Sequence, residues 1–142
     1  MTAKRYPTGA VLYDIPHFED ERGALGVLEI ARELPFGCQR IFYTYTVPTG
    51  SVRGEHAHKR CEQFLIALRG SLNVSVDNGD VRDEILLESP SQGLHLPAGC
   101  WGEQSSHSPD CILLVLASQP YDNADYIRDY GEFLSWKKSN GV

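Results

Sequence analysis

The chain has 142 residues, 42% of them hydrophobic, which suffices for one sizeable core but not for two, so we expect a single domain spanning residues 1–142. Its formal net charge of −6 argues against a general nucleic-acid surface, which requires clustered Lys and Arg on one face. No apolar run of about 18 residues and no signal-like N-terminus is present, so we expect a soluble, cytoplasmic protein without a membrane span. The four cysteines form no C-x-x-C pair, so neither a zinc ribbon nor a redox motif is predicted.

Short apolar stretches separated by Gly, Pro, Asn and Asp predict an all-β sandwich or barrel. The predicted strands cover residues 11–15, 24–30, 40–47, 63–68, 72–76, 81–87 and 111–117. In the fourth and fifth strands apolar residues alternate with others, as expected for a hairpin with one buried face. The last strand is apolar throughout, so we expect it to be buried on both sides.

Two tight turns and one helix complete the predicted elements. One turn lies at residues 69–71, and the other at residues 78–79, whose Asn-Gly sequence tolerates the positive φ angles of a type I′ turn. Apolar residues from 126 to 134 follow three-and-four spacing, which predicts a C-terminal helix with Asp122 or Asn123 as its N-cap.

The segment 53–58, with the sequence RGEHAH, places His56 and His58 two positions apart. Successive side chains of a strand alternate between its faces, so these two imidazoles should project into the same space. An H-x-H pair on its own is equally compatible with a structural role. The residues around it make it informative.

The two histidines belong to a spacing that resembles the first motif of the cupin barrels, which are double-stranded β-helix (jelly-roll) folds. The motif positions in this chain are Gly50, His56, His58, Gln63 and Gly70. Residues 97–102, PAGCWG, resemble the second cupin motif, P-x-G-x-x-H. The resemblance implies an all-β cupin barrel, to which the spacing near the C-terminus adds a short helix.

Two of the four ligand positions of a metal-binding cupin are changed in this chain. Gln63 stands where such cupins usually carry glutamate, and Gly102 stands where they carry the last histidine. A carboxamide is a weak donor compared with a carboxylate, and glycine has no side chain. We therefore predict no metal site, although Glu62 beside Gln63 leaves an altered one open.

Without a metal, the paired imidazoles can act as acid and base, because histidine titrates near neutral pH. Proton abstraction beside a carbonyl also needs a donor for the developing enolate oxygen. Tyr43, on the predicted strand 40–47, can supply a hydroxyl or can pack at the barrel wall. Arg40 and Arg53 can hold a diphosphate through charge-assisted hydrogen bonds, or can be solvated surface residues.

Further segments resemble the nucleotide-sugar 3,4-ketoisomerases, which are metal-free cupins acting on dTDP-4-keto-6-deoxyglucose. They are residues 20–23, 39–43, 53–59, 62–63, 93–94, 116–122, 125–128 and 130. The combination RGxHAHK, EQ and DYIR is the specific part, whereas a barrel fold alone says little about function. The resemblance implies an isomerase without a cofactor that moves the ketone from carbon 4 to carbon 3 through an enediol intermediate.

By this resemblance, His58 removes the proton from carbon 3, His56 returns a proton at carbon 4, and Tyr43 is a neighbouring hydroxyl. The implied partner is a dTDP-linked 4-keto-6-deoxy sugar. Members of the family are homodimers that exchange N-terminal strands, so a homodimer is expected here, with strand exchange as one form of it.

The resemblance also implies four substrate-binding residues: Arg40, Arg53, Arg22 and Gln63. The two arginines at 40 and 53 would contact the diphosphate. Arg22 with the following glycine resembles the branch of the family that gives the galacto product. Gly102 is a departure, since the family often has a histidine there, and any contribution of that histidine to the pocket is absent.

Other functions stay open at this level. One is a cupin epimerase for nucleotide sugars, which would exchange protons at carbons 3 and 5 and leave the ketone at carbon 4. Another is a non-catalytic sugar-binding cupin, favoured by Gly102. A metal-dependent cupin is the third, and bound metal in protein purified without chelators would support it.

Overall fold

The computed structural model describes residues 2–140. Over this range the protein is almost entirely β-structure with one short α-helix near its C-terminal end, as predicted. The strands are β1 (Ala3–Arg5), β2 (Val11–Asp14), β3 (His17–Asp20), β4 (Gly23–Gly26), β5 (Arg40–Tyr45), β6 (Arg53–His58), β7 (Gln63–Arg69), β8 (Leu72–Asp77), β9 (Arg82–Leu87), β10 (Gln92–Leu96), β11 (Trp101–Ser105), β12 (Ile112–Ala117) and β13 (Tyr126–Ile127). Helix α1 covers Tyr130–Ser139, and no helix in the described range is long and apolar enough to cross a membrane.

Two antiparallel sheets form the barrel. One has six strands in the order β1-β2-β10-β7-β12-β5, and the other has five in the order β13-β6-β11-β8-β9. Leu65 of β7, Val74 of β8 and Val115 of β12 belong to one buried cluster that both sheets share. This arrangement confirms the predicted cupin jelly roll. Strand β5 at the edge of the first sheet and β6 near the edge of the second flank the cavity described below.

A second apolar cluster lies on the outer face of the six-stranded sheet. Phe64 and Ile66 of β7 pack there with Leu116 of β12 and with Leu34, which lies in the strand-free segment 27–39. Strand β7 is therefore buried on both faces, and the prediction of a single buried face was wrong, because the 27–39 segment covers the outer side. Strand β12 is buried on both faces, as predicted, because Leu113 and Val115 belong to the inner cluster and Leu116 belongs to the outer one.

The predicted strand at 24–30 is shorter than expected. Strand β4 ends at Gly26 and pairs with β3 in a separate two-stranded sheet. The hairpin at residues 78–79 is present, but only Gly79 has a positive φ angle, of 96°, so the turn is not of type I′. The side chain of Asn78 instead accepts hydrogen bonds from the backbone N–H groups of Asp80 and Val81, which closes the loop.

The C-terminal helix starts later than predicted. Its N-cap is Asp129, whose carboxylate accepts a hydrogen bond from the backbone N–H of Glu132. Asp122 caps a separate 3₁₀ turn by accepting from Ala124, and β13 follows that turn. The prediction from three-and-four spacing placed the helix start too early, because Tyr126 and Ile127 pair with β6 as the short strand β13.

Candidate active site

An irregularity in β6 positions the two histidines. The pairing of β6 with β11 shifts register between Gly54 and His56, which lies opposite Gly102, and Glu55 adopts a φ of 54° at this bulge. Gly54 has a φ of 83°, and a Cβ atom there would lie 2.9 Å from the carbonyl oxygen of Gly102, so the position requires glycine. The rings of His56 and His58 meet edge to face with centroids 4.9 Å apart. The structure thus brings both imidazoles together, as their spacing predicted.

His58 forms a buried pair with Asp125. Its Nδ1–H donates to Oδ2 of Asp125 at 2.9 Å, and the carboxylate also accepts from the backbone N–H groups of Arg60 at 2.7 Å and Cys61 at 3.2 Å. Burial alone would raise the pKa of Asp125, but these hydrogen bonds hold it below its ordinary value. The carboxylate therefore stays charged and leaves Nε2 as the proton-accepting nitrogen of His58.

His56 has the same orientation of its ring nitrogens. Its Nδ1–H donates to the carbonyl oxygen of Gly54 at 2.9 Å, so Nε2 carries the lone pair. Burial, with the neighbouring His58 as the second cause, lowers the pKa of His56 to about 4. Burial also lowers the pKa of His58, although Asp125 acts in the opposite direction. Both imidazoles are neutral at pH 7 and present bases to their surroundings.

A cavity of about 180 Å³ lies between β5 and β6. Its wall includes Phe42, Arg53, His56, Gln63 and Tyr126. The predicted binding residues Arg53 and Gln63 therefore share one cavity with the predicted catalytic residue His56. The Gln63 amide nitrogen also lies 3.4 Å from Nε2 of His58, so this residue contacts the base directly.

Arg40 lies close to the same histidines. Its guanidinium lies over the rings of Phe42, at 5.2 Å, and Tyr121, at 5.7 Å, and its buried Nε has no hydrogen-bond partner in the described chain. Burial is the main cause that lowers the pKa of both histidines, and the charge of Arg40 adds to it. Arg40 thus places a positive charge with unused donor capacity beside the cavity.

The side chains of two predicted site residues, Tyr43 and Arg22, lie outside this cavity. The side chain of Tyr43 is on the opposite face of β5 from Phe42, is 62% exposed and stacks on Tyr45, contrary to the position predicted for a catalytic hydroxyl. Arg22 follows β3 at the tip of the β3–β4 hairpin, where it pairs with Asp20 at 2.7 Å and is 84% exposed. Neither residue lines the cavity that contains His56.

Sequence reasoning missed three residues of this site. Asp125 and Tyr126 lie in the DYIR run, which entered only as part of a resemblance, and Gln104 had no motif around it. The centroid of the Tyr126 ring lies 4.4 Å from that of His58 and 5.0 Å from that of His56, so a tyrosine other than Tyr43 packs against the two imidazoles. Pairing of the DYIR run with β6 could have identified Asp125 and Tyr126. That pairing was not considered because residues 126 and 127 were assigned to the predicted helix.

One group of potential metal ligands is present among residues 2–140. Donor atoms of His58, Cys61 and Asp125 lie within 4.8 Å of one another, and all three residues are buried. Nδ1 of His58 and the carboxylate oxygens of Asp125 already bond to each other and to backbone N–H groups. The cupin ligand positions 63 and 102 hold a carboxamide and a glycine, as the sequence indicated. The donor set therefore suits a hydrogen-bonded acid–base pair better than an ion.

Residues 8–138 match the sequence model of a family described as FdtA: WxcM-like, C-terminal. The chain belongs to the FdtA family. A relative from Aneurinibacillus thermoaerophilus, named TDP-4-oxo-6-deoxy-alpha-D-glucose-3,4-oxoisomerase, is 42% identical over 117 residues, which cover 82% of this chain and 84% of the relative.

Solved structures of FdtA-like enzymes agree with this assignment. A 3,4-ketoisomerase from Helicobacter canadensis superposes with a TM-score of 0.88 at 38% identity, covering 91% of this chain and 97% of that one. A mutant of the 3,4-ketoisomerase QdtA from Thermoanaerobacterium thermosaccharolyticum, in complex with TDP-4-keto-6-deoxyglucose, has a TM-score of 0.88 at 35% identity. The superposition covers 91% of this chain and 94% of QdtA. The resemblance to the sugar 3,4-ketoisomerases is confirmed.

Proposed function

We propose that this chain moves the ketone of dTDP-4-keto-6-deoxyglucose from carbon 4 to carbon 3 through an enediol intermediate, without a redox cofactor. The observation that carries the proposal is the buried His58–Asp125 pair beside the cavity between β5 and β6. A neutral imidazole with its Nδ1–H on a carboxylate is a base whose protonated form that carboxylate stabilises. Family membership supports the same reaction.

The reaction needs two protons to change places. Nε2 of His58 takes the proton of carbon 3, the C–H electron pair forms the double bond to carbon 4, and the carbonyl electrons move to the oxygen of carbon 4. That oxygen gains a proton, and the hydroxyl oxygen of carbon 3 loses one as it becomes the new carbonyl. Carbon 4 then takes a proton from His56, which first receives the proton that His58 took from carbon 3, so the substrate, the product and both histidines end with the numbers of protons they started with.

The remaining cavity residues suit positioning and charge stabilisation. Arg40 and Arg53 hold the diphosphate, since guanidinium groups bind phosphate oxygens through paired charge-assisted hydrogen bonds. The hydroxyl of Tyr126, rather than that of Tyr43, donates to the enolate oxygen, which the 4.4 Å separation between the Tyr126 and His58 rings supports. Gln63 orients the substrate beside the base.

The functional unit is a homodimer in this proposal. The β3–β4 hairpin pairs with neither main sheet and exposes Phe18 at 66% and Leu25 at 61%. A second copy of the chain covers these apolar side chains and receives Arg22 from the hairpin tip at its own cavity. Light scattering of the intact chain and of Phe18→Asp tests this, because a dimer held by the hairpin should dissociate in the variant. The cytoplasmic location stays a prediction.

The deciding experiment is incubation with dTDP-4-keto-6-deoxyglucose in heavy water, followed by NMR. We expect a 3-keto product with solvent deuterium at carbon 4. Absence of both the product and the label would contradict the proposal. Exchange at carbons 3 and 5 with the ketone left at carbon 4 would indicate an epimerase instead.

A further inference from the structure

The guanidinium of Arg128 lies over the ring of Tyr126. Its central carbon is 4.3 Å from the ring centroid, within the distance of about 6 Å at which a cation is attracted to an aromatic face. Residues two positions apart in extended backbone project to the same side, so the strand conformation at β13 brings the two side chains together. Nη1 of Arg128 also donates to Oδ1 of Asn123 at 2.8 Å. The guanidinium is therefore held in place on the ring.

The short segment around Arg128 also carries the residues that contact and orient the base. Asn123 begins the 3₁₀ turn that ends at Asp125, and the Asp125 carboxylate accepts from Nδ1 of His58 at 2.9 Å. Tyr126 follows this turn directly, and the centroid of its ring lies 4.4 Å from that of His58. By joining Asn123 to the Tyr126 ring, Arg128 ties the tyrosine to the turn that places the carboxylate.

The hydroxyl of Tyr126 has no other anchor in the described chain. Tyr130 donates its hydroxyl to Asp77 at 2.7 Å, whereas no hydrogen bond within residues 2–140 involves the hydroxyl of Tyr126. A group that acts on a reacting atom must be held within about 0.5 Å of its productive position. Since the hydroxyl is left to the substrate, the position of Tyr126 depends on what packs against its ring, and Arg128 covers one face of that ring.

The charge of Arg128 also reaches the imidazoles. Among residues 2–140 no carboxylate pairs with Arg128, whereas Arg60 of the neighbouring loop pairs with an aspartate at 2.7 Å. Burial is the main cause that lowers the pKa of His56 and of His58, and the charge of Arg128 makes a smaller contribution in the same direction. Arg128 therefore has two routes to the reaction, one through the Tyr126 ring and one directly through its charge. Substitutions can separate them.

We propose that Arg128 is a positioning residue that holds the Tyr126 hydroxyl where it donates to the enolate oxygen. The proposal rests on the ketoisomerase function and on Tyr126 as the donor. Without the guanidinium, the pair of His58 and Asp125 still removes the proton from carbon 3, but the oxygen that gains charge has a less well placed donor. The turnover number kcat should therefore fall while the affinity for dTDP stays the same, because Arg128 contacts the ring of Tyr126 and not the nucleotide.

The test replaces Arg128 by methionine, which keeps an unbranched apolar side chain against the ring but carries no charge. We expect kcat to fall about five- to tenfold, with affinity for dTDP within about twofold of the unchanged chain and the same thermal midpoint. Arg128→Lys keeps a cation over the ring and should retain kcat within about threefold. Arg69→Met is the matched control, since Arg69 is an exposed arginine paired with Asp110, and its kcat should be unchanged. A lysine variant as slow as the methionine variant would overturn the proposal.

A double-mutant cycle separates the two routes. In Tyr126→Phe there is no hydroxyl to position, so adding Arg128→Met should lower kcat by less than about twofold further. A fall of the same size in both backgrounds would overturn the positioning role, because Arg128 would then act on the imidazoles directly. A loss of dTDP affinity of about tenfold with kcat retained would also overturn it, by placing Arg128 on the nucleotide. An unchanged chain that forms no 3-keto product would instead refute the ketoisomerase function itself, so the two failures are distinguishable.

Discussion

The buried carboxylate of Asp125 offers the sharpest test of the proposed base. In Asp125→Asn one carboxylate oxygen becomes an NH₂ group that faces N–H donors on both sides, since His58, Arg60 and Cys61 all donate to Asp125. If the amide nitrogen turns toward His58, it donates to Nδ1 and forces the proton onto Nε2. The nitrogen that should accept the proton from carbon 3 is then blocked.

The size of the effect follows from the geometry of the pair. Two unit charges about 4 Å apart attract by about 4 kcal/mol at an effective dielectric constant of about 20. Because the imidazolium charge is only partly developed in the transition state, we expect kcat to fall by about 10²–10³-fold. Asp125 also opposes the lowering of the His58 pKa that burial causes, so the acid limb of any residual activity should move to lower pH.

The assay is steady-state formation of the 3-keto product across pH, with a matched control. Asp122→Asn is that control, because Asp122 is exposed, pairs with Arg60 and caps a turn, a role that asparagine also fills. The free energy of unfolding of Asp125→Asn should be about 1–3 kcal/mol lower than that of the unchanged chain, because the substitution leaves one buried N–H donor without an acceptor. A kcat within about threefold of the unchanged chain, in folded Asp125→Asn protein, would refute the assignment of His58 as an Asp125-oriented base.

Three other outcomes are expected. The pKa of His56 is about 4 in the folded chain and about 6.5 in the unfolded chain, so the unfolded chain binds more protons between these pH values, and the free energy of unfolding should fall by about 3 kcal/mol as the pH drops through them. Urea unfolding of His56→Gln should lack this fall. The same dependence of unfolding free energy on pH in both proteins would contradict the expectation. Tyr126→Phe should lower kcat more than Tyr43→Phe, and the reverse order in product assays would restore the hydroxyl role to Tyr43. Arg53→Leu should weaken dTDP binding about tenfold or more by calorimetry, whereas the matched exposed change Arg69→Leu should not, and equal affinities would remove Arg53 from the nucleotide site.

Local sequence patterns were sufficient to predict the all-β barrel and the pairing of His56 with His58 in the candidate site. Alternation along a strand is a local rule, so the spacing of His56 and His58 already determined that both imidazoles share one side. The loss of two cupin ligands at Gln63 and Gly102 is also readable from motif spacing alone. The predicted start of α1 was wrong because residues 126 and 127 pair with β6, which is distant in the chain. The outer face of β7 was wrongly expected to be exposed because the segment 27–39 covers it.

Only the tertiary structure decided how the histidines function. Asp125 lies 67 positions from His58, and the two meet because β13 pairs with β6 after the 3₁₀ turn, a contact that no local periodicity encodes. The same pairing places Tyr126 beside the imidazoles, while strand alternation turns Tyr43 outward. The sequence by itself determined which chemical groups are available, and the packing of two sheets determined which of them share a buried volume, because burial and hydrogen bonding depend on neighbours distant in the chain.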